Sequence, residues 1–101
     1  MSIKYVADIY FDVGEKVHIC SKVRPVCGED IPFAIKSAKY ELYRRDDDTD
    51  EMVLESDGDV TIEGHVLDVL IQPKQTGRYR LKYIYVIADE TWVDVVQLRV
   101  N

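Results

Sequence analysis

Two cysteines, one tryptophan, three prolines and five glycines in 101 residues leave too little material for several classes of protein. So few cysteines cannot build the dense disulfide framework of a small secreted scaffold. Scarce proline and glycine, with no low-complexity stretch, leave no linker to divide the chain, so residues 1–101 are expected to form a single domain. Long apolar runs are also missing. The longest uncharged apolar stretch, Tyr83 to Ala88, falls far short of the ~20 residues that span a bilayer. Met1-Ser2-Ile3-Lys4 leads into no signal-peptide apolar run. The expectation is a soluble chain synthesised in the cytoplasm, with no membrane partner. Positive charge is in deficit too: 13 basic against 19 acidic residues leave a net charge of −6. That balance repels phosphate backbones and anionic lipid, so nucleic acid is not an expected partner.

What remains is globular in kind. Apolar residues make up 47% and charged residues 32%, away from the composition of disordered chains. A chain of this length buries about two-thirds of its unfolded surface, enough for a core without staples.

The dominant pattern has period two, which puts alternate side chains on opposite faces of a pleated strand. It predicts a strand over Ile3 to Phe11, a turn at Asp12-Val13-Gly14-Glu15, and a second strand over Lys16 to Lys22 with Val17, Ile19 and Ser21 on one face. An irregular segment follows, Val23 to Asp30, with Arg24-Pro25 and Cys27-Gly28 as breakers. Pro32 makes Ile31 to Ile35 an edge or a strand entry. Ala38 to Arg45 is the next strand, although Ile35, Ala38, Lys39 and Leu42 also approximate a helical stripe. Asp46 to Asp50 reads as a hairpin tip, Asp57-Gly58-Asp59 as a tighter turn, and Val60 to Glu63 and Leu67 to Ile71 as short strands. After Pro73 to Gly77, residues Tyr79, Leu81, Tyr83, Tyr85 and Ile87 share one face of the strongest strand. Trp92, Val96, Leu98 and Val100 share a face of the last.

Seven to eight short strands at such spacings predict an all-β fold, an immunoglobulin-like antiparallel β-sandwich. Gly77-Arg78-Tyr79 opens the best strand just after a turn, the position of the tyrosine corner in such domains. Leu81 stands where an antibody domain has its second cysteine, which excludes a true antibody-type domain.

No constellation of catalytic residues emerges. Cys20 and Cys27, separated by six residues, either bridge a strand end to a loop or stay reduced; cytoplasmic synthesis favours thiols. With His18 they make a three-ligand fragment that lacks a fourth member unless Asp30 or His65 supplies it, so no metal site is expected. His18 lies beside Cys20 on one strand face, with no third group to orient it as a base. Asp46, Asp48 and Asp50 open with the rhythm of a calcium loop, but Glu51 and Asp57 occupy the positions of its glycine and bidentate glutamate. Asp57, Asp59 and Glu63 are carboxylates with no pocket to shift them. Neither cofactor nor catalytic residue is expected. Arg78, Arg80 and Lys82 read as the solvated face of the strongest strand. Ile84 and Val86 continue that row as exposed apolar residues unless something covers them, and Val93 and Val95 extend it across the final strand. These four are the candidate interface.

The ordered series Ile31 to Tyr43, a polar hairpin, Gly64-His65-Val66-Leu67, Pro73 to Leu81 through Gly77-Arg78-Tyr79, and Glu90-Thr91-Trp92 to Val100 resembles small immunoglobulin-like proteins of phages and prophages. These include the N-terminal domains of tail baseplate proteins. The likeness covers about residues 30 to 100, and the first strand has no counterpart in it. The resemblance implies a structural or accessory virion protein of tail, baseplate or head-tail junction, whose partners are other virion proteins or further copies of itself. The alternative is a ligand-binding or carbohydrate-adhesion module presenting aromatic side chains and acidic turns at one end of the sandwich.

Overall fold

The alternating pattern folds into β1 (Ile3–Phe11), β2 (Val17–Lys22), β3 (Ile35–Arg45), β4 (Met52–Asp59), β5 (Thr61–Glu63), β6 (Val66–Ile71), β7 (Gly77–Ile87) and β8 (Glu90–Val100). The computed structural model describes the backbone of residues 3–23 and 34–101, and within these the side chains from residue 9 onward. Among the described residues there is no helix. The breakers Arg24-Pro25 and Cys27-Gly28 and the strand entry at Ile31 and Pro32 lie outside them.

The strands form two sheets, β1-β8-β7-β3-β4 and β2-β6-β5. Lettered in chain order, β2-β6-β5 is the B-E-D row of an immunoglobulin-like sandwich, β3-β7-β8 is C-F-G, and β4 adds C′. The inner faces meet in one core. Leu42, Tyr79, Leu81, Tyr83, Tyr85, Val96, Leu98 and Val100 come from the larger sheet, and Ile19, Leu67, Val69 and Ile71 from the smaller. The alternation therefore names the core-facing hydrophobic residues of β2, β6, β7 and β8, with Val17, Ile87 and Trp92 only partly buried at their ends, but it names neither Asp94 nor the burial of Val95.

Polar cross-links do what an inter-sheet disulfide does elsewhere. The Tyr83 hydroxyl donates to the carbonyl of Ile19 on the opposite sheet. Asp94, 2% exposed, accepts from Tyr85 Oη at 2.9 Å and from Ser21 Oγ at 3.1 Å. A buried carboxylate is tolerable because both its oxygens are hydrogen-bonded. The tyrosine corner is present: Tyr79 Oη accepts from the Gln75 N–H at 3.1 Å and donates to Glu55 Oε1 at 2.9 Å.

Ala38 to Arg45 is strand, as its alternation predicts, and the alternative helical stripe does not form, because β3 is paired on both sides, with β4 and with β7. Two local readings change. Asp57-Gly58-Asp59 is not a turn but the end of β4, opposite Glu41, Tyr40 and Lys39. Gly58 is there for room: a Cβ would stand 3.2 Å from the Tyr40 ring. The chain changes sheets one residue later, where buried Val60 donates its N–H to the carbonyl of Ala38. Finally, one pairing is parallel. β1 runs alongside β8, from Ile3 opposite Val93 to Phe11 opposite Val100, while the turn after it carries the chain to the other sheet.

Candidate functional site

Alternation along β7 sends Tyr79, Leu81, Tyr83 and Tyr85 into the core and leaves Arg78, Arg80, Lys82, Ile84 and Val86 on the outer face of the five-stranded sheet. Directly opposed residues share a face, so the register fills in the rest. On β8, Arg99, Gln97, Val95, Val93 and Thr91 lie opposite them in that order. On β3, Tyr43, Glu41, Lys39 and Ser37 oppose Arg80, Lys82, Ile84 and Val86.

This face has two unlike ends. At one, Ile84, Val86 and Val93 are half-buried, and Val95 beside them is only 3% exposed. The four candidate interface residues are thus neighbours on one surface. At 3% exposure Val95 is the floor of that patch and offers almost no surface of its own, and it lies outside the main core cluster. A charged band crosses the middle. Lys82 Nζ lies 5.1 Å from the centroid of the Tyr43 ring, and Tyr43 Oη donates to Glu41 Oε1 at 3.1 Å. Burial first, then that hydrogen bond, raises the Tyr43 phenol above its ordinary range. At the other end stand Arg78, Arg80 and Arg99, with Tyr10 opposite Arg99 on β1. The pattern exposed Arg78 and Arg80 as an outward row, but only the β7–β8 register brings Arg99 against Arg78.

The hairpin tip adjoins the arginine end. Its carboxylates are largely spent on the turn itself. Asp46 Oδ1 accepts from the N–H groups of Asp48 at 2.8 Å and Thr49 at 3.4 Å, and Asp50 pairs with Arg45. That is turn chemistry rather than an array of free ligands.

On the outer face of the smaller sheet, His18, Cys20 and Asp68 come together. Cys20 lies opposite Asp68, and His18 Nδ1 is 2.9 Å from Asp68 Oδ1. Asp68 is the third group that spacing along the chain did not reveal, since it arrives from β6. The arrangement does not activate the thiol. Desolvation first, then the charge of Asp68 and a hydrogen bond to it, then Glu63, all raise the Cys20 pKa, whereas a nucleophilic thiol needs it lowered. Cys27, and with it the bridge, lies outside the described residues, as does Asp30. Among the described residues no group of three or more His, Cys, Asp or Glu could hold a metal ion, and no helix is long and apolar enough to cross a membrane.

No protein-family model and no curated protein matches the chain. The face must therefore be read by its own chemistry. Two aromatic rings belong to it, Tyr43 under Lys82 and exposed Tyr10 opposite Arg99, whereas Tyr79, Tyr83 and Tyr85 are in the core, where Tyr83 reaches the other sheet directly and Tyr85 reaches it through Asp94.

Proposed function

We propose that the chain is a non-enzymatic contact module, a structural or accessory virion protein of a phage or prophage, that docks through the outer face of its five-stranded sheet. The setting comes from the resemblance to small phage immunoglobulin-like proteins. The observation that carries the contact role is the aliphatic patch. Ile84 faces Val93 across β7 and β8 with Val86 beside them, on the sheet face that the smaller sheet does not cover. A cluster of branched aliphatics left partly exposed on the outer face of a sheet is the kind of surface that another protein completes.

Light scattering at micromolar concentration tests the self-association that such a patch supports. The expected result is a mass above that of one chain, reduced to one chain by the double substitution Ile84→Asp and Val86→Asp. A strict monomer that the double substitution leaves unchanged removes self-association. Flanking capsid, portal or tail genes are the expected genomic setting, and their absence argues against the virion role.

A further inference from the structure

The arginine end of the same face has a charge that the rest of the molecule does not explain. In a chain with six more acids than bases, Arg78, Arg80 and Arg99 stand together with no carboxylate paired to any of them among the described residues. Arg78 and Arg99 are directly opposed, an arrangement that costs stability in a sheet. Arg80 Nε is desolvated and has no hydrogen-bond acceptor. Leaving such a donor unmet costs more than a surface charge does. Two hollows adjoin here and share Arg78 and Gln97. One, of about 290 Å³, is also lined by Arg99; the other, of about 240 Å³, by Arg45, Met52 and Arg80.

We propose that these two hollows form a docking groove for an extended acidic segment of a partner protein, with carboxylates at alternate positions. The spacing is the reason for alternation. Arg78 and Arg80 project from the same face two residues apart, about 7 Å along the strand, and an extended peptide presents every second side chain at the same interval. Guanidinium forks match carboxylates in pairs of parallel hydrogen bonds, and Arg78, which lines both hollows, carries such a fork with no carboxylate of this chain against it among the described residues. A short peptide is favoured over nucleic acid. The tip Asp46 to Asp50 borders the groove and Asp50 lines one hollow, so a long phosphate backbone running past would meet repulsion that a few carboxylates avoid.

This rests on the reading of the outer face as a protein contact and adds the chemistry of the partner. The test is fluorescence anisotropy with a labelled peptide of alternating glutamate and threonine. Its isomer with the glutamates in one block and a labelled oligothymidylate serve as comparisons. The alternating peptide should bind at low salt, weaken as salt is added, and bind more tightly than the block isomer. Arg78→Glu, which alters the one arginine that lines both hollows, should weaken it at least about tenfold, the effect of losing one charge-assisted hydrogen bond. Arg78→Lys, which keeps the charge without the fork, should fall between. Absence of binding, equal binding by Arg78→Glu, or oligothymidylate binding as tightly as the peptide overturns the proposal. So does a wild-type oligomer that Arg78→Glu converts to monomer, which assigns the groove to the acidic tip of a second copy. Ile84→Asp with Val86→Asp should leave peptide binding unchanged. If the peptide fails while that double substitution still alters scattering, the groove is wrong and the aliphatic contact stands.

Discussion

Two side chains decide more of this fold than their numbers suggest. Tyr79 ties the loop before β7 to the sheet by accepting from Gln75 and donating to Glu55. Tyr79→Phe keeps the buried ring and loses both bonds, and urea unfolding should show a loss of about 1 to 2 kcal/mol. Its titration gives a second check. Burial first, then the Glu55 hydrogen bond, pushes the Tyr79 phenol up from 10.0 to about 12. The same cause raises Tyr83 and Tyr85 further in the same direction. A group whose folded pKa is raised contributes stability that is whole below the unfolded pKa and lost as pH climbs toward the folded one. Thermal melting should thus hold steady up to about pH 10 and decline from there toward pH 12, with a shallower decline in Tyr79→Phe. The corner was legible in the sequence because glycine, an intervening residue and tyrosine after a turn form a local signature. Asp94 was not. Its parity on β8 is that of Trp92 and Val96, but nothing in one strand announces that a hydroxyl from β7 and another from the opposite sheet will meet it. Asp94→Ala leaves Tyr85 and Ser21 unpaired in the core and should cost about 2 to 4 kcal/mol. Replacing all three together, with Tyr85→Phe, Ser21→Ala and Asp94→Val, should recover most of that loss by the same unfolding measurement, because the penalty lies in the unmet partners.

Pairing of elements explains where local signals were overruled. Asp57-Gly58-Asp59 has turn composition, but β4 needs those residues to finish its ladder with β3, and Gly58 makes space for the Tyr40 ring. Ile35 to Arg44 carries a helical stripe, but partners on both sides hold it extended. Period two survives such conflicts because each strand has one face in the core, so a slip of one residue would expose it. What period two cannot supply is which outward residue lies beside which. The Arg78–Arg99 pair exists only through the β7–β8 register, and it gives a prediction of opposite sign to the peptide result. Arg78→Glu turns a like-charge cross-strand pair into an attractive one and should stabilise the fold by about 0.5 kcal/mol at low salt, a gain that fades as salt rises. Thermal melts of that variant in low and high salt read the effect directly. A stabilised protein that binds the acidic peptide less well would separate the stability of β7–β8 from the use of its outer face.

At the scale of the whole molecule, the arrangement of edges sets what the chain exposes. Two sheets and their shared core were legible from the spacing of alternations and turns, whereas the parallel place of β1 was not. A strand's pattern reports its buried face but not the direction of its neighbour. That place matters because β1 lies along β8, which otherwise would present a free row of backbone donors and acceptors from Val93 to Val100. Phe11 enters the core at 9% exposure, and its carbonyl accepts from the Asn101 N–H at 2.9 Å, so the strand is held by packing as well as by its ladder. Removing residues 1–11 should therefore cost more than the burial of Phe11 alone, which is about 1.5 to 3 kcal/mol. The open β8 edge would also be a template for a second chain. The truncated protein should melt lower and form larger species in sedimentation at concentrations where the full chain does not. Those species should persist when Ile84→Asp and Val86→Asp are added, because an edge pairs through its backbone while the aliphatic patch pairs through its side chains. A truncated chain that melts with the intact one and stays the same size would mean that β8 is protected without β1, and that the remaining strands close the sheet on their own.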